Sequence, residues 1–482
     1  MESRLLDYII IAAYLLAVAF IGIFSGGRQK SVKDYFLGAK EIPWWAVCFS
    51  IVSAETSALT FISIPGLAYL TNLNFLQVAF GFLIGRIFVA LFFLPAYFKG
   101  ELETAYKYLD TRFGKTTRSF ASIVFLLTRL AADGVRLFAT AIPIYLMLQI
   151  NPVAAIILVA FISLIYTYTG GIKGVIWVDA IQMFIYIGGA IVASIFLFNL
   201  LPDGWNSVIN AASVDSKLSV FNTGANLSLI DFFDEPYTMF AGIIGGAFLS
   251  MASHGTDQLI VQRLLATKNL KSAKKAVIGS GIIIVFQFAF FLVVGILLYA
   301  YYGSMDIRSD EIFPKFIIEV LPAGISGLII AGLLAAAMST IAGSISSLSS
   351  SAMMDIFVPF FGKNLNEKKK LLISRILTVG FASLLILFAL IFIESSQAVV
   401  EVALSIASFT YGGLLGAFLL GLLNKNAKER EAIIAFTAGI AVMILVISFN
   451  LVAWTWFTLA GVITTVFVGS VLTMIRTKEL KT

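Results

Sequence analysis

Two stretches place oxygen-bearing side chains inside otherwise apolar sequence. The first, residues 44–69, reads WWAVCFSIVSAETSALTFISIPGLAY. Ser53, Ala54, Glu55, Thr56 and Ser57 form its polar middle, and Thr60 and Pro65 follow. Clustered Ser and Thr compete for the backbone's hydrogen bonds, so the helix is expected to unwind here. Unwound carbonyls inside a membrane can hold a sodium ion, and the ends of the half-helices can face a solute. Glu55 reads either as a pocket group or as a protonated or paired acid on a packing face. The second stretch, Ala335–Ser351, reads AAAMSTIAGSISSLSSS. Ala336, Ser339, Thr340, Gly343, Ser346, Ser347 and Ser350 recur at three- and four-residue steps and share one helix face. Such a face suits close packing through small residues. Its hydroxyls also suit a hard cation, which takes oxygen ligands. Arg86, Arg129 and Arg136 lie within apolar runs, where a charge turns to protein or water. They read as snorkelling side chains or as ion pairs, with Asp133 an available acid.

The elements that hold these residues must cross a bilayer. The chain has 482 residues, of which 60% are hydrophobic and 12% charged, and its mean hydropathy is +0.98. A soluble fold could not hide that much apolar surface. About thirteen apolar runs reach spanning length. The breaks between them then sort by charge. Arg28, Lys30, Lys33 and Lys40 fall in the first; Lys99, Lys107, Arg112, Lys115 and Arg118 in the third; Lys173 in the fifth. Arg263, Lys268, Lys271, Lys274 and Lys275 are assigned to the seventh, and the ninth, eleventh and tail are basic too. The N-terminus and the even breaks hold only Arg4, Lys217, Arg308 and Lys315. Strict alternation predicts an odd number of spans, with the N-terminus outside and the C-terminus in the cytoplasm. One Cys (Cys48) and one His (His254) exclude an internal disulfide, a thiolate cluster and a histidine metal cage. No GxxxxGK[ST] loop is present, so ATP-driven pumping has no visible engine. The longest extracytoplasmic break, about residues 201–236, is too short for a further domain, and the first apolar run reads as a span rather than a cleaved signal.

Four pieces together carry a resemblance: WWAVCFSIVSAET, TGGIKGVIWVDAIQ, GTDQLIVQRLLATKN and AAAMSTIAGSISSLSSSAMMDI. In their order and spacing the chain resembles the sodium/solute symporter family, which includes sodium–glucose cotransporters and a bacterial sialic acid carrier. The resemblance implies an all-α polytopic protein with a LeuT-like core of two inverted five-helix repeats. Residues 1–482 would form one transporter domain: an extra first helix at 5–25, the first repeat at 44–200, the second at 237–423, and two extra helices at 430–476. It further implies a sodium site built from backbone oxygens of Ser53, Thr56 and Ala336 and the hydroxyls of Ser339 and Thr340. Asp179 matches an acid of the coupling or second-ion region, or is a buried structural acid. Ala342 and Gly343 stand where relatives with a second sodium carry hydroxyls. Ala132 stands where the sialic acid carrier has its carboxylate-binding Arg, Ala79 replaces a Glu or Gln, and Glu55 replaces an Asn or Thr.

The expectation is a sodium-coupled secondary symporter, not an enzyme, importing a small polar organic solute by alternating access with one sodium per solute. GTDQ tilts the solute toward a sugar, polyol or nucleoside. It would bind near the midplane beside Glu55, Ser57, Thr60 and Phe75, with Phe75 stacking on it or simply packing. Asp257 and His254 would line the pocket, or Asp257 would cap a helix end. Sodium is the coupling ion, with no organic cofactor; the partners are the solute and the lipid bilayer, with no nucleic acid and a monomer as functional unit. The setting is a plasma (inner) membrane, multi-pass. Rival readings are a proton-coupled carrier using Glu55, a sodium-coupled carrier of a carboxylate or amino compound, a non-transporting membrane sensor and a channel.

Overall fold

The computed structural model describes residues 4–148, 150–214, 216–393 and 399–480. Among these the regular structure is helical, with one isolated bridge between Ile42 and Thr267. In chain order the long helices are α1 (Leu5–Ser25), the pair α2a (Trp44–Glu55) and α2b (Ala58–Leu70), α3 (Leu76–Phe88, running on to Lys99) and α4 (Lys115–Leu148). Then come α5 and α6 (the two parts of Pro152–Asn199), the pair α7a (Gly246–Gly255) and α7b (Gln258–Leu265), and α8 (Leu270–Tyr302). Last are α9 (Ile325–Ser351, running on to Phe360), α10 (Glu367–Ile391), α11 (Val399–Leu423), α12 (Glu429–Ser448) and α13 (Phe457–Glu479).

Eight of the described helices are long and apolar enough to cross a membrane, and α2a with α2b, bent by 61°, makes a ninth. One of the eight, Pro152–Asn199, has 48 residues and holds two spans. Gly171 divides it with φ 57° and ψ −160°, a conformation open to glycine. A β-carbon there would also sit 2.6 Å from the Tyr35 carbonyl oxygen. The remaining expected spans are helical in their places but fail on composition or length, for physical reasons. Arg118, Arg129, Asp133 and Arg136 interrupt α4, α7 is broken, and the apolar described part of α11, Thr410–Leu423, is short.

Contacts join connections that the alternation assigns to one side. Lys33 of the first break pairs with Glu103 of the third at 2.7 Å, and Arg112 of the third binds the Gly421 carbonyl at the end of α11 at 2.9 Å. On the opposite face Lys217 donates to the Tyr69 carbonyl at 2.7 Å, closing the C-terminus of α2b.

The axis of the molecule is α9. Of its apolar window 89% is buried, against 22% for α1. The stripe of Ala, Gly and Ser is what admits neighbours on every side: a β-carbon on Gly332 would lie 3.0 Å from the Tyr186 Cα. Its N-terminus is held by a buried acid on α1. Asp7 Oδ1 accepts from the N–H groups of Gly324 (2.6 Å) and Gly327 (2.8 Å), and Oδ2 accepts from the Ser326 hydroxyl (2.8 Å). The Asp7→Ala variant should lose about 1–3 kcal/mol of stability, since those donors stay buried without partners. Its thermal midpoint in detergent checks this; a wild-type midpoint refutes it.

Candidate functional site

The sequence breaks α2 and α7 in matching ways. At the first break the Thr56 N–H and hydroxyl both bond back to the Val52 carbonyl, at 3.0 and 2.8 Å, and end α2a. Ser57 then caps α2b, its hydroxyl accepting from the Thr60 N–H at 3.3 Å. At the second break the Thr256 N–H and hydroxyl bond to the Ala252 carbonyl, at 3.0 and 2.8 Å, and end α7a. Asp257 caps α7b by accepting from the Leu259 N–H at 2.9 Å. Each is a threonine that closes one half-helix followed by a cap that opens the next.

The first break frees particular oxygens. In a continuous helix the N–H of Ser57 would bond to Ser53 and that of Thr60 to Thr56. Instead Ser57 N–H turns to the Glu55 carbonyl at 3.0 Å, and Thr60 N–H goes to the Ser57 hydroxyl. The Ser53 and Thr56 carbonyls are thereby released from those helix bonds. Across from them, the Thr340 hydroxyl on α9 lies 3.3 Å from both the Ala54 and the Ala336 carbonyl. Ser339, one residue earlier, donates to Asp179 Oδ1 at 2.7 Å, which leaves its lone pairs unspent. Ser53, Thr56, Ala336, Ser339 and Thr340 are all buried, and the fold brings them to the crossing of α2 and α9.

Asp179 on α6 is spoken for. Its second oxygen accepts from the Ser50 hydroxyl (2.6 Å) and from Arg263 Nη2 (2.9 Å). Arg263 was expected among cytoplasmic charges; it is wholly buried on α7b, with Nε on Ser50 (2.8 Å) and Nη1 on the Leu259 carbonyl (2.7 Å). Its guanidinium packs on Gly343, where a β-carbon would meet Nη2 at 2.6 Å.

A cavity of about 100 Å³ adjoins the crossing. Glu55, Ser57, Arg129, Arg136, His254, Asp257, Thr340 and Tyr411 line it, whereas Thr60 and Phe75 do not. Phe75 packs on Tyr237 and Phe288, with ring centroids 5.8 and 5.1 Å apart. Glu55 accepts from Nη2 of Arg86 on α3, and Arg86 Nη1 holds Ser280 at 2.9 Å. Arg129 Nη1 donates to Asp257 at 2.8 Å, and Tyr411 donates to the same oxygen at 2.8 Å. Asp133 takes Arg129 Nε (2.6 Å), Arg136 Nη1 (2.7 Å) and the Ser344 hydroxyl. The three intramembrane arginines are thus all paired, two with Asp133 and Arg86 with Glu55. Asp257 is both helix cap and cavity wall.

The family model described as Sodium:solute symporter family matches residues 35–439. The chain belongs to that family. Among its members it is 30% identical to the sodium/sialic acid symporter NanT of Aliivibrio fischeri, over 96% of this chain and 92% of the relative. It is 28% identical to SiaT of Proteus mirabilis (90% and 88%) and 27% to the human sodium-coupled monocarboxylate transporter 1 (90% and 72%). Among solved structures, a substrate-bound, outward-open sodium-coupled sialic acid symporter superposes with a TM-score of 0.89 at 27% identity, covering 98% of each chain. The closed form of Mhp1 superposes at 0.60 and 11% identity, sharing the fold. The chain is therefore a multi-pass, sodium-coupled solute symporter of LeuT-like fold, and not an enzyme.

Proposed function

We propose that this symporter imports a small polar solute bearing an acidic group, with one sodium per solute, as a functional monomer in a plasma membrane. Its two inverted repeats are residues 44–200 and 237–423, flanked by helices at 5–25 and 430–476. The paired breaks of α2 and α7 support this division. The observation that carries the ion site is the release of the Ser53 and Thr56 carbonyls at a break where Thr340 meets the Ala54 carbonyl at 3.3 Å. With the Ala336 carbonyl and the Ser339 hydroxyl they offer the several oxygens a dehydrated cation needs. Sodium there ties α2 to α9, and so favours the conformation in which those helices meet.

The solute is assigned to the cavity beside the break. Relatives are named for sialic acid and monocarboxylates, and Arg136, a fifth exposed, faces this space with one nitrogen on Asp133. A neutral sugar or polyol, toward which GTDQ tilts, would leave that guanidinium without an incoming counter-charge. Proton coupling through Glu55 is disfavoured because Arg86 already neutralises it. Uptake into proteoliposomes at fixed pH should require sodium and fail when potassium replaces it. Equal uptake in potassium would overturn the reading.

The stoichiometry rests on Arg263. Its fixed positive charge lies on Gly343 and consumes Asp179, so a second sodium there would meet a like charge with few oxygens left. Each sodium entering down a 100 mV potential contributes about 2.3 kcal/mol. Reversal potentials at several sodium gradients should fit one ion per solute; a fit to two refutes this part.

A further inference from the structure

The cavity beside the α2 break has two poles of opposite sign. At one, Arg136 presents its guanidinium, a fifth of its side chain exposed. At the other, Glu55 also keeps a fifth of its side chain exposed, with Oε2 engaged by Arg86. His254 stands beside Glu55, its Nε2 3.7 Å from the carboxylate. That ring is 1% exposed, and its Nε2 has no hydrogen-bond partner. Its Nδ1 lies 2.8 Å from the Ser253 hydroxyl and 3.2 Å from the Ser250 carbonyl oxygen. The acceptor at this pole is the Glu55 carboxylate.

The charges among these groups and their partners cancel. Glu55 is balanced by Arg86, and Arg129 and Arg136 by Asp133 and Asp257. A solute with net charge would upset that balance, whereas one carrying both signs would preserve it. The cavity's volume of about 100 Å³ corresponds to on the order of three waters at about 30 Å³ each, so it suits only a small solute.

We infer that the solute is a small zwitterion of the amino-acid type, its carboxylate on Arg136 and its ammonium donating to Glu55. The inference rests on the proposed function and adds the amino group to it. A carboxylate alone would leave the Glu55 pole facing an anion. An amine alone would add a positive charge to a balanced set and leave Arg136 with Asp133 only. A quaternary ammonium has no N–H for Glu55, so it should bind more weakly than a primary or secondary amine.

Purified protein in sodium would be screened by thermal shift against matched trios. Each trio holds an α- or ω-amino acid, the acid lacking its amine and the amine lacking its acid, with glucose, N-acetylneuraminate and glycine betaine alongside. At least one amino acid should raise the midpoint in sodium, while its two halves at equal concentration do not. Glu55→Gln should weaken that amino acid about tenfold or more and narrow the gap to its acid-only counterpart. Sodium-induced stabilisation of the variant shows that it is folded; if it is lost, Arg136→Gln replaces it, with the same expected weakening. A shift by glucose or by an acid alone, with all amino acids silent, overturns the zwitterion and leaves symport standing. So does sodium stabilisation with every amino acid silent, or an unchanged affinity in both variants. Absence of any sodium effect on the wild type counts instead against the proposed function.

Discussion

Replacing Arg263 with leucine should destabilise the folded protein by about 3–5 kcal/mol, the largest effect expected of any single substitution. Arg263 is wholly buried and donates to Asp179, Ser50 and the Leu259 carbonyl. Without it the Asp179 carboxylate keeps only the Ser50 and Ser339 hydroxyls, in a fully buried position. Asp179→Leu should cost a similar amount for the mirror reason, because a buried guanidinium is then orphaned. The double variant, with both charges gone, should recover most of the loss, since a buried pair replaced by apolar side chains is often near neutral. Thermal midpoints of the four proteins form the cycle. Additive losses would show that the two residues act independently and that the ion pair is not what holds α6 to α7b. The pair also touches the proposed ion site through Ser339. Asp179→Asn, which keeps the shape and removes the charge, should therefore change the sodium midpoint of uptake more than its maximal rate.

How much of this was legible beforehand depended on whether a feature is local or made between helices. The breaks are local. Ser, Thr and Pro near residues 53–65 announce that the helix weakens, and the structure unwinds it at Thr56 and Ser57, within that window. The carbonyls freed there belong to the same few residues, so Ser53 and Thr56 could be named from sequence pattern and resemblance. The shared face of α9 is likewise set by three- and four-residue spacing alone. Pairing across helices was harder. Glu55 meets Arg86 and not a pocket alone, because the rotation of α3 about its axis decides which side chain points at α2, and no spacing rule fixes that rotation. Arg263 was counted with cytoplasmic charges because basic residues follow it in sequence. The break of α7 carries it into the core, beside an acid 84 residues earlier. Tyr411 and Ser344, which complete the networks on Asp257 and Asp133, gave no sign at all, since hydroxyls in apolar helices are common. One signal was available for Arg86: two opposite charges in adjacent apolar runs each need a partner, and each was the other's nearest within the apolar runs.

The Ser339→Ala/Thr340→Ala double variant should lose sodium-driven uptake while remaining folded. Both hydroxyls are buried at the α2–α9 crossing, so the protein loses two short polar groups and gains no bulk. The structural cost is small. Thr340 makes only long contacts, 3.3 Å, to Ala54 and Ala336, and loss of Ser339 leaves Asp179 with Arg263 and Ser50. The cost to ion binding is larger, because a contact with a charged group is worth about 1.5–3 kcal/mol, or roughly ten- to a hundredfold in affinity for each oxygen. With three carbonyls remaining, the sodium midpoint should rise at least a hundredfold in the double variant and by about tenfold or more in each single one. Solute affinity measured at saturating sodium should change far less, since Thr340 is one lining residue of the cavity among many and Ser339 does not line it. Sodium activation curves for uptake, read beside the thermal midpoint of each protein, separate the two effects. A double variant with a wild-type activation curve would remove Ser339 and Thr340 from the ion site and place sodium elsewhere. A variant that unfolds would be replaced by Thr340→Val, which keeps the shape and removes only the oxygen, and the same rightward shift of the curve is then expected.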